Sequence, residues 1–243
     1  MTVLSVNLNK IALLRNSRGR NYPSVVEFAG KFIDLGVQGI TIHPRPDERH
    51  ITRKDTYELA DFLQSHEKIE LNIEGYPNEE FLRLVEDTRP DQCTLVPDAV
   101  NQLTSDHGWN FNKQAELLHT VIKQINDWSV RSAVFLDPDL EQVALAAQSS
   151  CQRIELYTED YAQSWGGTTQ AQVLSTYRDV AAKAQSLGLG VNAGHDLDLQ
   201  NLPAFLTIPD ILEVSIGHAL IVECIESGMQ SVVQRYLETC HGC

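Results

Sequence analysis

The 243-residue chain is 42% hydrophobic and 21% charged, and 33 acidic against 19 basic side chains give a formal net charge of −14. That balance argues against nucleic acid and an anionic membrane as partners, since both reward a basic surface, but a local cluster can still take a small anion. No apolar run approaches the roughly 20 residues of a membrane span, and Met1-Thr2-Val3-Leu4-Ser5-Val6 lacks the charged-then-apolar layout of a secretory signal, so a cytoplasmic protein is expected.

In chain order, a first short run rich in β-branched residues (4–8) reads as a strand that ends in Asn7, Asn9 and Lys10, with Arg15, Arg18 and Arg20 beyond it. Val25, Phe28, Ala29, Phe32 and Ile33 then mark a helical face that closes on Leu35-Gly36, a glycine stop. A second strand (39–42) runs into His43 and Arg45, opening a proline-stiffened loop with two arginines and two histidines between positions 43 and 50. Strands at 69–73 and 93–96 lead to Glu74 and to Pro97-Asp98. Leu117, Val121, Ile122 and Ile125 form another helical face before a strand at 132–136, which ends at Asp137. The sixth strand (153–157) carries Glu155 and meets Thr158. After the helix stop Leu187-Gly188, strands at 190–193 and 212–216 run into Asn192-Ala193-Gly194-His195 and Ser215-Ile216-Gly217-His218.

Eight short strands alternating with helix-length segments imply parallel pairing through crossovers. Their number, and the absence of a Gly-x-Gly-x-x-Gly turn after the first, favour a single (β/α)8 TIM barrel over residues 1–243 rather than an open dinucleotide-binding sheet. In such a barrel the catalytic groups stand where strands end. Here all eight ends are polar, with three histidines and two glutamates able to face inward, which points to an enzyme.

Gly194-His195 and Gly217-His218 follow strands seven and eight, where barrels commonly hold a phosphate on backbone N–H groups. The arginines after strands one and two suit phosphate oxygens at a second anchor. Phosphorylated small molecules are therefore the expected substrates. His43, His195 and His218 lack local metal-ligand spacing, and acid–base work beside Glu74 needs less coincidence, so no metal is expected. Cys93, Cys151, Cys224, Cys240 and Cys243 read as thiols; the closing C-x2-C pair lacks the second pair a zinc site needs.

The run from Val6 to Gly19, Gly39-Ile40-Thr41-Ile42-His43-Pro44-Arg45 with Arg49-His50-Ile51, Asn72-Ile73-Glu74, Leu95-Val96-Pro97, Val191-Asn192-Ala193-Gly194-His195 and Ile216-Gly217-His218-Ala219 together resemble the pyridoxine 5′-phosphate synthase family. The likeness extends from the first strand to the eighth, in order. It implies condensation of 1-deoxy-D-xylulose 5-phosphate with 3-amino-2-oxopropyl phosphate, releasing phosphate and water as a pyridine ring closes. It further implies no cofactor, additional helices on the barrel, and assembly into homo-octamers.

By the same resemblance His43 and Glu74 are acid–base groups, His195 is a proton donor and Glu155 stabilises charged intermediates. Asn7, Arg18, Arg45, His50, Thr104, Gly217 and His218 fall on substrate- and phosphate-contacting positions. The chain departs from the family where Asn9-Lys10 replaces the common Asp-His. Asn9 can still bond a sugar hydroxyl and Lys10 can still meet a phosphate, which marks a subgroup with its acid–base positions intact. Asp196 stands where glycine is common; only its backbone is expected to touch substrate, and its side chain to cap the next helix. Two other readings stay open: a phosphosugar isomerase or aldolase using Glu74 or Lys10, and a non-catalytic protein that binds a B6 vitamer.

Overall fold

The computed structural model describes residues 1–98, 102 and 104–242. Its strands are β1 (Val3–Asn7), β2 (Gly39–Ile42), β3 (Glu70–Gly75), β4 (Gln92–Leu95), β5 (Arg131–Leu136), β6 (Arg153–Tyr157), β7 (Gly190–Gly194) and β8 (Ile211–Ile216). Each pairs in parallel with its sequence neighbour, and β8 pairs with β1, closing the barrel in strict chain order. The helices are α1 (Asn9–Asn16), α2 (Val25–Asp34), α3 (Arg53–Leu63), α4 (Glu79–Thr88), α5 (Phe111–Asp127), α6 (Leu140–Gln148), α7 (Glu159–Ser164), α8 (Gln170–Ser186), α9 (Leu202–Phe205), α10 (His218–Ser227) and α11 (Met229–His241). The expected (β/α)8 barrel with additional helices is what forms: α1, α7 and α11 are the extra pieces, beside the crossover helices after β1, β6 and β8.

Side chains alternate across each strand. The outward set, such as Ile40 and Ile42 on β2 or Ile154 and Leu156 on β6, is fully buried in the shell between strands and helices. The inward set is mostly polar. Ser5 and Thr41 share a hydroxyl hydrogen bond of 2.7 Å, and Thr94 Oγ1 donates to Asn72 Oδ1 at 3.0 Å. Asn192 Nδ2 reaches Gln92 Oε1 at 3.4 Å, from β7 to β4, so that contact crosses the interior. Glycine lets β1 and β2 approach closely where Ser5 pairs with Gly39: a Cβ on Gly39 would lie 2.8 Å from that of Ser5.

Helix starts follow their capping residues. Thr52 and Asp55 form a reciprocal capping box on α3, and Ser24, Asn78 and Asp139 cap α2, α4 and α6. Leu35-Gly36 ends α2 as expected, with Gly36 at a φ of 101° that favours glycine. Leu117 is a correction of one helical position: it is 37% exposed, and its neighbour Leu118 takes the buried place on α5. Cys93, Cys151, Cys224 and Cys240 are free thiols. Cys240 is buried within α11, where its carbonyl accepts the Thr2 N–H at 3.1 Å, while Cys243 lies outside the described residues.

Candidate active site

At the C-terminal mouth of the barrel lies a cleft of about 530 Å³ whose lining draws on all eight strands or the turns after them. Asn7, His43, Glu74, Val96, Phe135, Glu155, His195 and Ser215 come from strands one to eight in turn. Asn9, Lys10, Arg45, His50, Thr104, Asp196, Gly217 and His218 complete the set expected from the sequence. Arg18 is the exception. It is exposed beyond the end of α1 and does not line the cleft, because α1 carries the chain outward. Arg15, from the same expected cluster, is buried in an ion pair with Asp55 and also donates to the His50 carbonyl at 3.2 Å.

The floor is an acid–base pair. His43 Nδ1 stands 3.9 Å from Glu74 Oε2, and both side chains are largely buried. Burial, with Arg45, His50 and Arg49 adding to it, pushes the His43 pKa well below that of a free imidazole. Burial also pushes Glu74 well above the ordinary carboxylate value, and Glu155, Asp98 and Glu213 push it the same way. Burial thus favours the uncharged form of each, so the imidazole is neutral and the carboxyl keeps its proton to higher pH than an ordinary carboxylate does.

Local hydrogen bonds fix this pair. Asn7 Nδ2 donates to Glu74 Oε2 at 3.4 Å, Asn7 Oδ1 accepts the Asn9 N–H at 3.0 Å, and Asn9 Oδ1 accepts the His43 N–H at 3.0 Å. Asn9 thus acts here by tying the end of β1 to the turn after β2. Glu155 packs beside Gly194, where a Cβ would come within 2.6 Å of its Oε1. Burial first and Glu213 second push Glu155 up to about 8.

Glu213 is the residue that sequence reasoning missed. It is buried one layer below, ion-paired to Arg153 at 3.1 Å and accepting from Asn192 Nδ2 at 3.0 Å. The signal was present: Glu213 and Ser215 are two apart on one strand and so share its inward face. Asn192, Asp98, Asp137 and Thr158, polar ends on the sequence reading, serve structure instead. Asp98 pairs with Arg45, Asp137 accepts the Gly108 N–H, and Thr158 Oγ1 donates to the Gly194 carbonyl at 2.7 Å.

Two cationic features flank the floor. Gly217 precedes α10, whose first turn holds no acidic side chain, so its N–H groups and dipole favour an anion in the cleft. The loop after β2 supplies Arg45, Arg49 and His50. His50 Nδ1 accepts the Ile51 N–H at 3.0 Å, and burial, with Arg45, Lys10 and Arg49, lowers its pKa to about 4. Lys10 is exposed at the rim, without the desolvation of a Schiff-base lysine. Asp196 also departs from expectation. Asp198 Oδ1 accepts the N–H groups of Gln200 and Asn201 in the turn ahead of α9, and the Asp196 carboxylate faces His195 instead. Among the described residues no group of three or more His, Cys, Asp or Glu is placed to hold a metal ion.

Fold and site together define a (β/α)8-barrel enzyme with a buried His43–Glu74 pair in a polar cleft at its C-terminal mouth. The chain belongs to the family described as pyridoxal phosphate biosynthesis protein PdxJ, which matches residues 4–242. It is 48% identical to the pyridoxine 5′-phosphate synthase of Porphyromonas gingivalis, over 97% of this chain and 98% of that one. The synthase of Albidiferax ferrireducens is 47% identical over 97% and 96%. Among solved structures the barrel resembles phosphoribosyl anthranilate isomerase from Thermotoga maritima, with a TM-score of 0.63 at 10% identity over the full length of both chains. A mutant tryptophan synthase alpha-subunit from Pyrococcus furiosus gives 0.64 at 13% identity over 100% of this chain and 98% of that one. At such identity these two likenesses concern the fold alone.

Proposed function

We infer that this chain is a pyridoxine 5′-phosphate synthase, condensing 1-deoxy-D-xylulose 5-phosphate with 3-amino-2-oxopropyl phosphate and releasing phosphate and water. The observation that carries this reading is the buried His43, its Nδ1 3.9 Å from Glu74 Oε2, on the floor of a cleft bounded by anion-favouring groups. Ring closure needs an amine to add to a ketone, then successive proton removals and water losses. The substrate supplies the amine, so no enzyme lysine is required. His43 takes protons, Glu74 gives them to departing oxygen, His195 serves as a second donor, and Glu155 steadies cationic intermediates.

The first turn of α10, with Gly217 and His218, holds one phosphate; Arg45, His50 and Lys10 favour the other, and Thr104 and the Asp196 backbone contribute contacts. Two fixed phosphates hold the reacting carbons together, which lowers the entropic part of the barrier. The exposed Leu13 and Leu14 of α1 and Val222 and Ile225 of α10 support subunit contacts on that side, in keeping with the octamer that the resemblance implies. A cytoplasmic, single-domain protein completes the reading. Mixing the protein with both substrates should release phosphate and form a pyridine chromophore; well-folded protein yielding neither refutes it.

A further inference from the structure

Asp196 stands at a place that backbone energetics would give to glycine. It and His195 have φ values of 56° and 91°, two consecutive side-chain-bearing residues in the left-handed region. Its carboxylate caps no helix. Instead Oδ2 lies 3.4 Å from His195 Nδ1. That nitrogen is buried and has no hydrogen-bond partner in the resting geometry. The opposite nitrogen, Nε2, meets Thr104 Oγ1 at 3.2 Å on the cleft side. The ring is further confined by Tyr157, edge-on at a centroid distance of 5.0 Å. His218 and Lys10 also face the carboxylate, and together with His195 they hold it below the usual carboxylate range, so it stands ready as an acceptor.

From this geometry we propose that Asp196 is a positioning residue acting through His195. Its carboxylate accepts the Nδ1 proton, selecting the tautomer whose Nε2 faces Thr104 and the cleft. A gap of 3.4 Å is slightly long for a closed hydrogen bond, and contacts of this kind commonly tighten when a substrate fills the site. With the Nδ1 proton committed to Asp196, Nε2 of the neutral ring first accepts a proton from substrate. The imidazolium so formed, its charge facing the Asp196 carboxylate, is the species that gives the proton back from Nε2 in the donor step. Without the carboxylate Nδ1 has no acceptor, the other tautomer becomes competitive, and the ring turns its lone pair away from the cleft. The carboxylate lost at position 9 relative to the common family pattern is thus replaced by one serving a different side chain.

The proposal rests on the synthase reading only for its kinetic arm, so one readout is independent of turnover. Solid-state 15N spectra of histidine-labelled protein, with His195 assigned by its absence in His195→Gln, report which nitrogen carries the proton. Two variants suit the φ of 56°: Asp196→Gly removes the acceptor, and Asp196→Asn keeps an acceptor oxygen. The expected result is the Nδ1-protonated tautomer in wild type and Asp196→Asn, and loss of that preference in Asp196→Gly. The same glycine variant should lose about tenfold in kcat with KM for both substrates nearly unchanged, and asparagine should restore most of it. An unchanged tautomer in Asp196→Gly overturns the proposal. So does a loss confined to KM, or a loss that asparagine leaves in full. If wild type shows no synthase turnover, the tautomer result alone decides.

Discussion

Replacing Glu155 by Gln probes the electrostatics of the barrel mouth most directly. The side chain is 3% exposed, and burial with Glu213 raises its pKa from the ordinary 4.5 to about 8. Between those values the folded chain holds a proton that the unfolded chain has released. The contribution is fully present below 4.5 and is lost as pH rises through about 8, at about 1.4 kcal/mol per pH unit. Across the whole window this amounts to about 3–5 kcal/mol, the lower figure allowing for relaxation around the charge. Glutamine keeps the shape of the protonated carboxyl without the titration. Urea unfolding of both proteins at pH 5, 7 and 9 should therefore give similar stabilities at pH 5. Glu155→Gln should be the more stable by about 3 kcal/mol at pH 9. Parallel stability curves across that range would refute the assignment of a raised pKa to this carboxyl.

Glu74→Gln should lower kcat by about 10²–10⁴ while the circular dichroism spectrum of the folded protein is retained, since glutamine keeps the shape of the carboxyl. Gly194→Ala forces a methyl toward Glu155 Oε1, to which a Cβ would stand at 2.6 Å; the circular dichroism spectrum should be retained and kcat should fall about tenfold. Arg15→Met leaves Asp55 buried without its guanidinium and should cost about 3–5 kcal/mol in denaturant unfolding. His50 should stay neutral from pH 8 down to 5, with a titration midpoint near 4 in 13C-imidazole spectra.

The order of the elements was readable from local pattern. Runs of β-branched residues, helix faces such as Val25 to Ile33, and stops at Gly36 and Gly188 depend on neighbours within a few positions, and the barrel follows from their alternation. The ends of eight parallel strands must then meet at one mouth, so His43, Glu74, Glu155 and His195 were found before any distance was known. What local pattern could not carry was direction and environment. Arg18 lies outside the cleft because α1 interposes a turn of helix, and Asp98 is spent on Arg45 because two loops meet there. Glu213 shares the inward face of its strand with Ser215, but only the closed barrel brings its charge near Glu155. The pKa shifts of His43, Glu74 and Glu155 were likewise decided by tertiary structure. A pKa reflects burial and charges brought from distant parts of the chain, and those exist only once the barrel has closed.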